Sequence, residues 1–213
     1  MPFWNSPGDP YRNPPQKGDL FYGLARTRDD LMKAFNISFD PGDGARINSY
    51  DIGDIALPVD KAARPADNQE FVKYLGVHPK YSKVVNIANS KYEWRHWRQK
   101  SKGGIEWATR TAKKHVHFCL DKMTDPAIMF AIVNKCYDND SPAHHKDWDT
   151  KVRSITNAEL RWMYRHRLES GVQKYVQFWE NKQPCGPPWE RPELQDIWDA
   201  YSPRIPPSTW AKH

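Results

Sequence analysis

Cysteine and long apolar runs are both scarce in this chain. Only three cysteines occur, Cys119, Cys136 and Cys185, and their spacing matches no metal-ligand motif. An odd number of cysteines without framework spacing indicates buried thiols and a reducing compartment rather than a disulfide scaffold. The longest apolar run covers residues 127–133, which is far too short to span a bilayer, so we expect no membrane partner.

Apolar residues in general are few, whereas aromatic residues are many. Hydrophobic residues make up 38% of the 213 residues and aromatic residues 13%, with ten Trp and ten Tyr. So much aromatic surface must be partly buried to keep the protein from aggregating, which predicts one large domain with an irregular aromatic core. Lys and Arg outnumber Asp and Glu by 32 to 26, and the net charge of +6 favours an anionic partner or serves solubility alone.

Three regions of the chain differ in composition. Residues 1–18 contain five prolines, no periodicity and no apolar core of a classical signal peptide, so we interpret them as an irregular lead-in. Residues 19–183 carry the periodic patterns of a folded domain. Residues 184–213 hold seven prolines around one predicted helix, and we expect them to pack on that domain as an extension.

Short strands and short helices alternate in the predicted domain. Apolar alternation or an aromatic run indicates strands at 19–25, 81–88, 114–123 and 171–179. Helical spacing indicates helices at 29–35, 69–75, 92–102, 126–135 and from about Glu159 onward. Short helices and long loops between strands favour an α+β fold rather than a parallel α/β sheet.

Three segments of the domain contain candidate functional residues. The first is a strand that leads into a helix, the second is an Asn- and Ser-rich turn ahead of a helix, and the third is a lone carboxylate ahead of an aromatic segment. The residues are Tyr22, Gly23 and Arg26 in the first, Asn86 and Ser90 in the second, and Asn157 and Glu159 in the third.

In pattern and order, these segments resemble the mono-ADP-ribosyltransferases of the cholera and pertussis toxin kind, over roughly residues 19–180. The resemblance implies an α+β fold with a split, mostly antiparallel β-sheet and short helices around an NAD cleft. It implies an enzyme that transfers ADP-ribose from NAD, its substrate, to a target protein. It also implies a bacterial toxin or effector that is secreted without a classical signal peptide and delivered into the cytoplasm of a target cell.

The resemblance assigns the catalytic roles to Glu159 and Asn157. Glu159 would stabilise the oxocarbenium-like ribose and hold its 2′-hydroxyl, by a logic that parallels glycoside cleavage. Asn157 stands where arginine-modifying enzymes carry Gln or Glu. Because an amide cannot neutralise a guanidinium, this position implies that ADP-ribose is attached to a side chain other than arginine.

NAD binding is assigned to the other two segments. Arg26 would hold an NAD phosphate by charge-assisted hydrogen bonds, with Tyr22 and Gly23 standing where the family carries a further arginine. Asn86 and Ser90 occupy the place of the S-T-S signature that supports the ribose and the catalytic carboxylate, and Asn can form the same kinds of hydrogen bond.

Other interpretations of the same sequence stay open. Thr156 and Glu159 have the spacing of a helix capping box, which would need no active site. Residues 91–114 carry eight Lys or Arg against two Glu, interleaved with Trp and Tyr, which is typical of a nucleic-acid-binding surface. A catalytically inactive interaction domain is a further alternative.

Two histidine pairs allow a different chemistry. His115 and His117 share one strand face and could serve as the acid and base of a metal-independent ribonuclease. Adjacent His144 and His145 lie near two aspartates in a polar loop, but their spacing matches no metal-ligand motif, so no metal is expected.

Overall fold

The computed structural model of the chain describes residues 13–16, 19–37, 66–82, 94–134 and 148–201. Within these ranges the strands are β1 Leu20–Gly23, β2 Val116–Cys119, β3 Val176–Glu180 and β4 Gln183–Cys185. The α-helices are α1 Ala25–Ala34, α2 Ala66–Val77, α3 Trp94–Glu106, α4 Pro126–Asn134, α5 Trp148–Arg165, α6 Ser170–Tyr175 and α7 Pro192–Asp199. Helix α3 continues into π-helical turns at Trp107–Ala112, and a 3-10 turn at Pro188–Glu190 precedes α7. No described helix has both the length and the apolar character needed to cross a membrane.

The four strands form one mixed sheet in the order β1-β2-β3-β4. Strand β2 is parallel to both neighbours, with Leu20 opposite Val116 and Val116 opposite Val176, and only β3 and β4 are antiparallel. Helices and a mixed sheet agree with an α+β fold in the general sense. The expectation of a mostly antiparallel sheet is wrong for the described strands, because helical crossovers connect β1 to β2 and β2 to β3 and so make these pairs parallel.

A tight hairpin joins β3 to β4. Its two turn residues, Asn181 and Lys182, have φ of 50° and 63°. Positive φ at both central positions matches the right-handed twist of the strands that such a turn connects. Because β4 covers Gln183–Cys185, the domain boundary predicted at residue 183 falls inside a strand of the sheet.

Both faces of the sheet are buried. Leu20, Tyr22 and Val116 point into the main core, whereas Phe21 and His117 point to the opposite face, where their rings stack at 5.2 Å. All five side chains are at most 1% exposed. Burial on both faces explains why these strands are nearly continuous apolar runs, as parallel strands usually are.

The main core lies between the sheet and helices α2 to α5 and α7. Its C-terminal corner is aromatic: the Tyr164 and Trp198 rings are 4.8 Å apart, and the Trp189 and Trp198 rings 5.5 Å apart. Leu194 and Trp198 of α7 are fully buried in this core. The segment that the sequence assigned to a C-terminal extension therefore contributes, through residue 201, to the same core as the domain.

Helix α1 covers the other face of the sheet. Leu31 and Met32 pack with Phe21 and Trp179 in a smaller apolar cluster, and the ring of Phe35 meets Trp179 edge-on at 5.3 Å. The helix follows β1 directly, so its first turn lies at the carboxyl end of that strand.

Helices α3 and α5 lie side by side on the main-core face. Ser101 contacts Glu159, and further along both segments Arg110 contacts Glu169. The two helices therefore run in the same direction. This arrangement brings the middle of α5 against the middle of α3 above the end of β1.

Two predicted elements differ in character from the expectation. Helix α5 begins at Trp148, well before residue 156, where the sequence predicted a helix start. Residues 171–175, predicted as strand, belong to helix α6, and β3 begins only at Val176. The strand predicted at 81–88 lies almost wholly outside the described residues.

Candidate functional site

Glu159 lies in the interior of helix α5 and is 1% exposed. Its Oε1 accepts a hydrogen bond from the hydroxyl of Ser101 on α3. Thr156 is also within the helix rather than at its start. The capping-box alternative is therefore wrong, because a capping glutamate belongs to the first turn of its helix.

Tyr22 connects the same serine to the sheet. Its hydroxyl donates a hydrogen bond to the backbone carbonyl of Ser101 at 3.2 Å. Gly104, one turn further along α3, leaves space for this hydroxyl, since a Cβ at that position would overlap it. Burial and, to a lesser extent, the charge of Glu159 raise the pKa of Tyr22 well above its ordinary value, so the phenol stays protonated.

Gly23 ends β1 in a conformation that favours glycine. Its φ is 116°, and a Cβ there would come within 2.5 Å of the carbonyl oxygen of Cys119 on β2. Glycine thus permits both the turn into α1 and the close approach of the two strand ends. The structure gives Gly23 this backbone role rather than a side-chain contact to a ligand.

Arg28 lies in the first half of α1 and is 1% exposed. Its Nε and Nη2 donate to Asp29 Oδ1 at 3.1 and 2.7 Å. The positive charge of Arg28 also acts on Glu159 and favours its ionised form. Arg28, Ser101 and Glu159 thus form one charged and polar group at the carboxyl end of β1.

Opposing effects set the protonation of Glu159. Burial raises its pKa to about 7, while the Ser101 hydrogen bond and the Arg28 charge act in the opposite direction. A carboxyl group with this pKa populates both protonation states near neutral pH, as general acids and bases do. The second oxygen, Oε2, is buried and has no hydrogen-bond partner among the described residues.

Asn157 does not join this group, although it lies only two positions from Glu159. On a strand, residues two apart share a face, but on a helix they point about 200° apart. Asn157 is 0% exposed, and neither Oδ1 nor Nδ2 finds a partner within the described part of the chain. The helical placement separates the two catalytic candidates that the family resemblance paired.

The remaining candidates can be placed only in part. The backbone of Arg26 is in α1, but its side chain is outside the described set. Asn86 and Ser90 are outside the described residues altogether.

Sequence reasoning missed Arg28 and Ser101. Arg28 had a signal, because it repeats the arginine of Arg26 two positions later in the same short segment. Ser101 had none, since a serine in the middle of a basic helix gives no indication of its partner across the core.

His117 is held in a separate buried group. Trp179 Nε1 donates to His117 Nδ1 at 3.0 Å, which leaves His117 Nε2 to donate to Asp19 Oδ2 at 2.9 Å. Burial outweighs the effect of Asp19 and lowers the pKa of His117. With both ring nitrogens engaged and the ring 0% exposed, His117 is poorly placed for the acid–base role of the ribonuclease alternative.

The basic segment 91–114 is partly neutralised. Arg110 donates to Glu106 at 2.7 Å and, through Nε and Nη2, to Glu169 at 2.9 and 2.7 Å. Histidine 166 adds a 2.6 Å contact to Glu169. Together with Arg110, this contact lowers the pKa of Glu169 to about 2, although burial acts in the opposite direction. Arg110 is thus committed to an internal ion pair, which weakens the nucleic-acid alternative.

No group of three or more His, Cys, Asp or Glu with metal-binding geometry occurs within the described ranges. His144 and His145 lie outside those ranges.

The chain matches no protein-family model, no curated protein and no solved structure. Functional inference therefore depends on the geometry of the site.

Proposed function

We propose that the chain is an NAD-dependent mono-ADP-ribosyltransferase that cleaves the bond between ribose and nicotinamide and passes ADP-ribose to a target protein. The observation that supports this proposal is the meeting of Arg28, Ser101 and Glu159 at the end of β1. These are the side-chain types that the resemblance implies: an arginine for phosphate, a serine that supports the carboxylate, and the catalytic glutamate. Arg28 and Ser101 take the roles first assigned to Arg26 and Ser90.

Glu159 supplies the anion for the reaction. As nicotinamide leaves with the bonding electron pair, positive charge develops on the ribose, and a nearby carboxylate stabilises it. The Ser101 hydroxyl fixes Oε1 of the carboxylate. Oε2 has no described donor and is the oxygen that would accept the ribose 2′-hydroxyl.

Arg28 would bind an NAD phosphate by charge-assisted hydrogen bonds. It is paired with Asp29, so NAD binding would exchange one anion for another. Arg28 and Glu159 are each 1% exposed, and the proposal therefore requires the side chains that cover them to move when NAD enters. The free thiols of Cys119 and Cys185 suit action in the reducing cytoplasm of a target cell.

The decisive experiment measures nicotinamide release from NAD by the purified protein, with a lysate of candidate target cells as the source of acceptor. We expect Glu159→Gln to lower the rate by roughly a hundred- to a thousand-fold, because one preorganised electrostatic contact is lost. Glu70→Gln is the matched control, since Glu70 is exposed on α2. Its rate should equal that of the wild type.

Two results would contradict the proposal. One is a folded wild-type protein that releases no nicotinamide and labels no protein when acceptor is present. The other is a Glu159→Gln variant that retains the rate of the Glu70→Gln control, which would show that the buried glutamate is only structural.

A further inference from the structure

A second polar group lies between α3 and α5, apart from Glu159. It contains five basic side chains and one buried amide. The residues are Lys80, Arg98, Lys102, Asn157, Arg161 and Arg165, and we call this group the cation cluster.

Helix spacing organises the cation cluster. Arg98 and Lys102 are one turn apart on α3, and Asn157, Arg161 and Arg165 follow at successive turns of α5. Residues four apart on a helix lie on the same side, so each helix contributes one row of the cluster. The row on α5 is on the side away from Glu159, since positions two apart on a helix are separated by about 200°.

The basic side chains are close to one another and partly withdrawn from water. Arg161 is 4% exposed and donates to the carbonyl of Ile132 at 2.6 Å, and Arg165 donates to the Tyr201 hydroxyl at 3.0 Å. Burial and then the charges of Lys80, Arg165, Arg161 and Arg98 lower the pKa of Lys102 to about 7. The charges that act most on Lys102 are thus all positive, which is unfavourable unless an anion binds among them.

Asn157 and Arg165 give independent evidence of a ligand. Asn157 is 0% exposed, and both polar atoms of its amide lack a partner among the described residues. Nε of Arg165 is also buried and finds no acceptor there. Native proteins rarely leave such groups unsatisfied, and an amide in a row with two arginines offers donors to an anionic oxygen.

We infer that the cation cluster is a binding site for a diphosphate group carried by a small ligand. A diphosphate spreads its negative charge over two linked phosphoryl groups, which suits two rows of cations better than a single phosphate does. Arginine and lysine are the side chains that bind phosphoryl oxygens, and the Asn157 amide would donate a further hydrogen bond. The inference does not require Glu159 to cleave NAD.

The test uses inorganic pyrophosphate as the probe, by calorimetric titration and by the shift in melting temperature. We expect saturable binding of pyrophosphate to the full-length protein, with inorganic phosphate binding at least about tenfold more weakly, because it reaches only one part of the cluster. Absence of pyrophosphate binding, or equal affinity for the two anions, would overturn the assignment.

Variants locate the binding. Lys102→Gln and Arg165→Gln should each weaken pyrophosphate binding by about tenfold or more, the usual effect of losing one charged hydrogen bond. Lys73→Gln, a change at an exposed position of α2, is the matched control and should bind as the wild type does. Equal binding by Lys102→Gln and Lys73→Gln would contradict the inference.

A stability readout covers the case of a poorly folded variant. Without ligand, Lys102→Gln should melt at a higher temperature than the wild type, since it removes repulsion among like charges. It should also lose most of the pyrophosphate-dependent rise in melting temperature. A variant that melts lower than the wild type yet keeps the full rise would overturn the site.

Further arms identify the source of the diphosphate. ADP and NAD are titrated into the Glu159→Gln variant, where NAD is not consumed. Binding of ADP that NAD does not compete with supports a separate ligand, whereas competition supports the diphosphate of the dinucleotide itself. If single-stranded RNA binds more tightly than pyrophosphate, and Lys102→Gln and Lys73→Gln weaken it equally, the surface is a nucleic-acid surface and the inference fails.

Discussion

Ser101 and Glu159, 58 positions apart in the chain, form a buried hydrogen bond between α3 and α5. The same serine accepts, through its backbone carbonyl, the hydroxyl hydrogen of Tyr22 from the sheet. A single residue thus links three elements through polar atoms in the protein interior. Burial of a carboxyl group costs free energy that apolar packing would avoid, and retention of such a group is typical of functional sites.

The first prediction concerns the pH dependence of stability. The pKa of Glu159 is about 7 in the folded protein, against an ordinary value of 4.5. Its contribution to stability is therefore complete below pH 4.5 and is lost as the pH rises through 7. Glu159→Gln should remove this dependence, which amounts to roughly 3 kcal/mol in the free energy of unfolding. Urea denaturation at a series of pH values measures it, and equal pH profiles for Glu159→Gln and the wild type would contradict it.

Ser101→Ala should move that profile to higher pH. The serine hydroxyl lowers the pKa of Glu159, so its removal raises the pKa further and delays ionisation. The rate of nicotinamide release, if it depends on the carboxylate, should shift with the same midpoint. Ser170→Ala, at an exposed position of α6, is the control and should leave both midpoints unchanged. A midpoint in Ser101→Ala equal to that of the control would show that the serine does not tune the acid.

A pair of glycine variants tests the packing beside Tyr22. In Gly104→Ala the new methyl group meets the Tyr22 hydroxyl, which is held in a buried hydrogen bond, so we expect a loss of about 1–3 kcal/mol. Gly76→Ala on α2 has no atom within 4 Å of the new methyl group and should stabilise the protein by about 0.5–1 kcal/mol. The same sign of effect in both variants would refute this account of Gly104.

Trp179→Phe tests the hydrogen bond to His117. The change leaves Nδ1 of His117 buried without its donor, which should cost about 1–3 kcal/mol beyond the loss of ring area. Trp198→Phe is the matched control, because Trp198 is equally buried but its Nε1 has no described partner. The difference between the two free energies of unfolding reports the hydrogen bond, and a difference near zero would argue against it.

The sequence predicted local structure better than topology. Apolar periodicity placed β1, β2 and the main helices correctly, because burial of one face is recorded in the order of side chains. The parallel pairing of β2 could not be predicted in the same way. Its neighbours are distant in the chain, and the strands are too short and too uniformly apolar to specify their direction.

The candidate site shows the same division. Tyr22 and Glu159, selected from separate motifs, do contact one residue in common. Their link, Ser101, has no local signature, since its role depends on how two helices pack. The Asn157–Glu159 pair fails for a simple reason: a two-residue spacing brings side chains together only on a strand, and the structure has a helix there.

The edge position of β1 bears on the order of folding. In the described sheet β1 pairs only with β2, and that pairing closes a loop from Leu20 to Val116, whereas the β3–β4 hairpin is local. Because long loops close slowly, we expect the C-terminal half to consolidate first and β1 to dock last. Tyr22 and Arg28 arrive with that final step. The acidic site would therefore be the last part of the protein to assemble during folding and the first to come apart in partial unfolding.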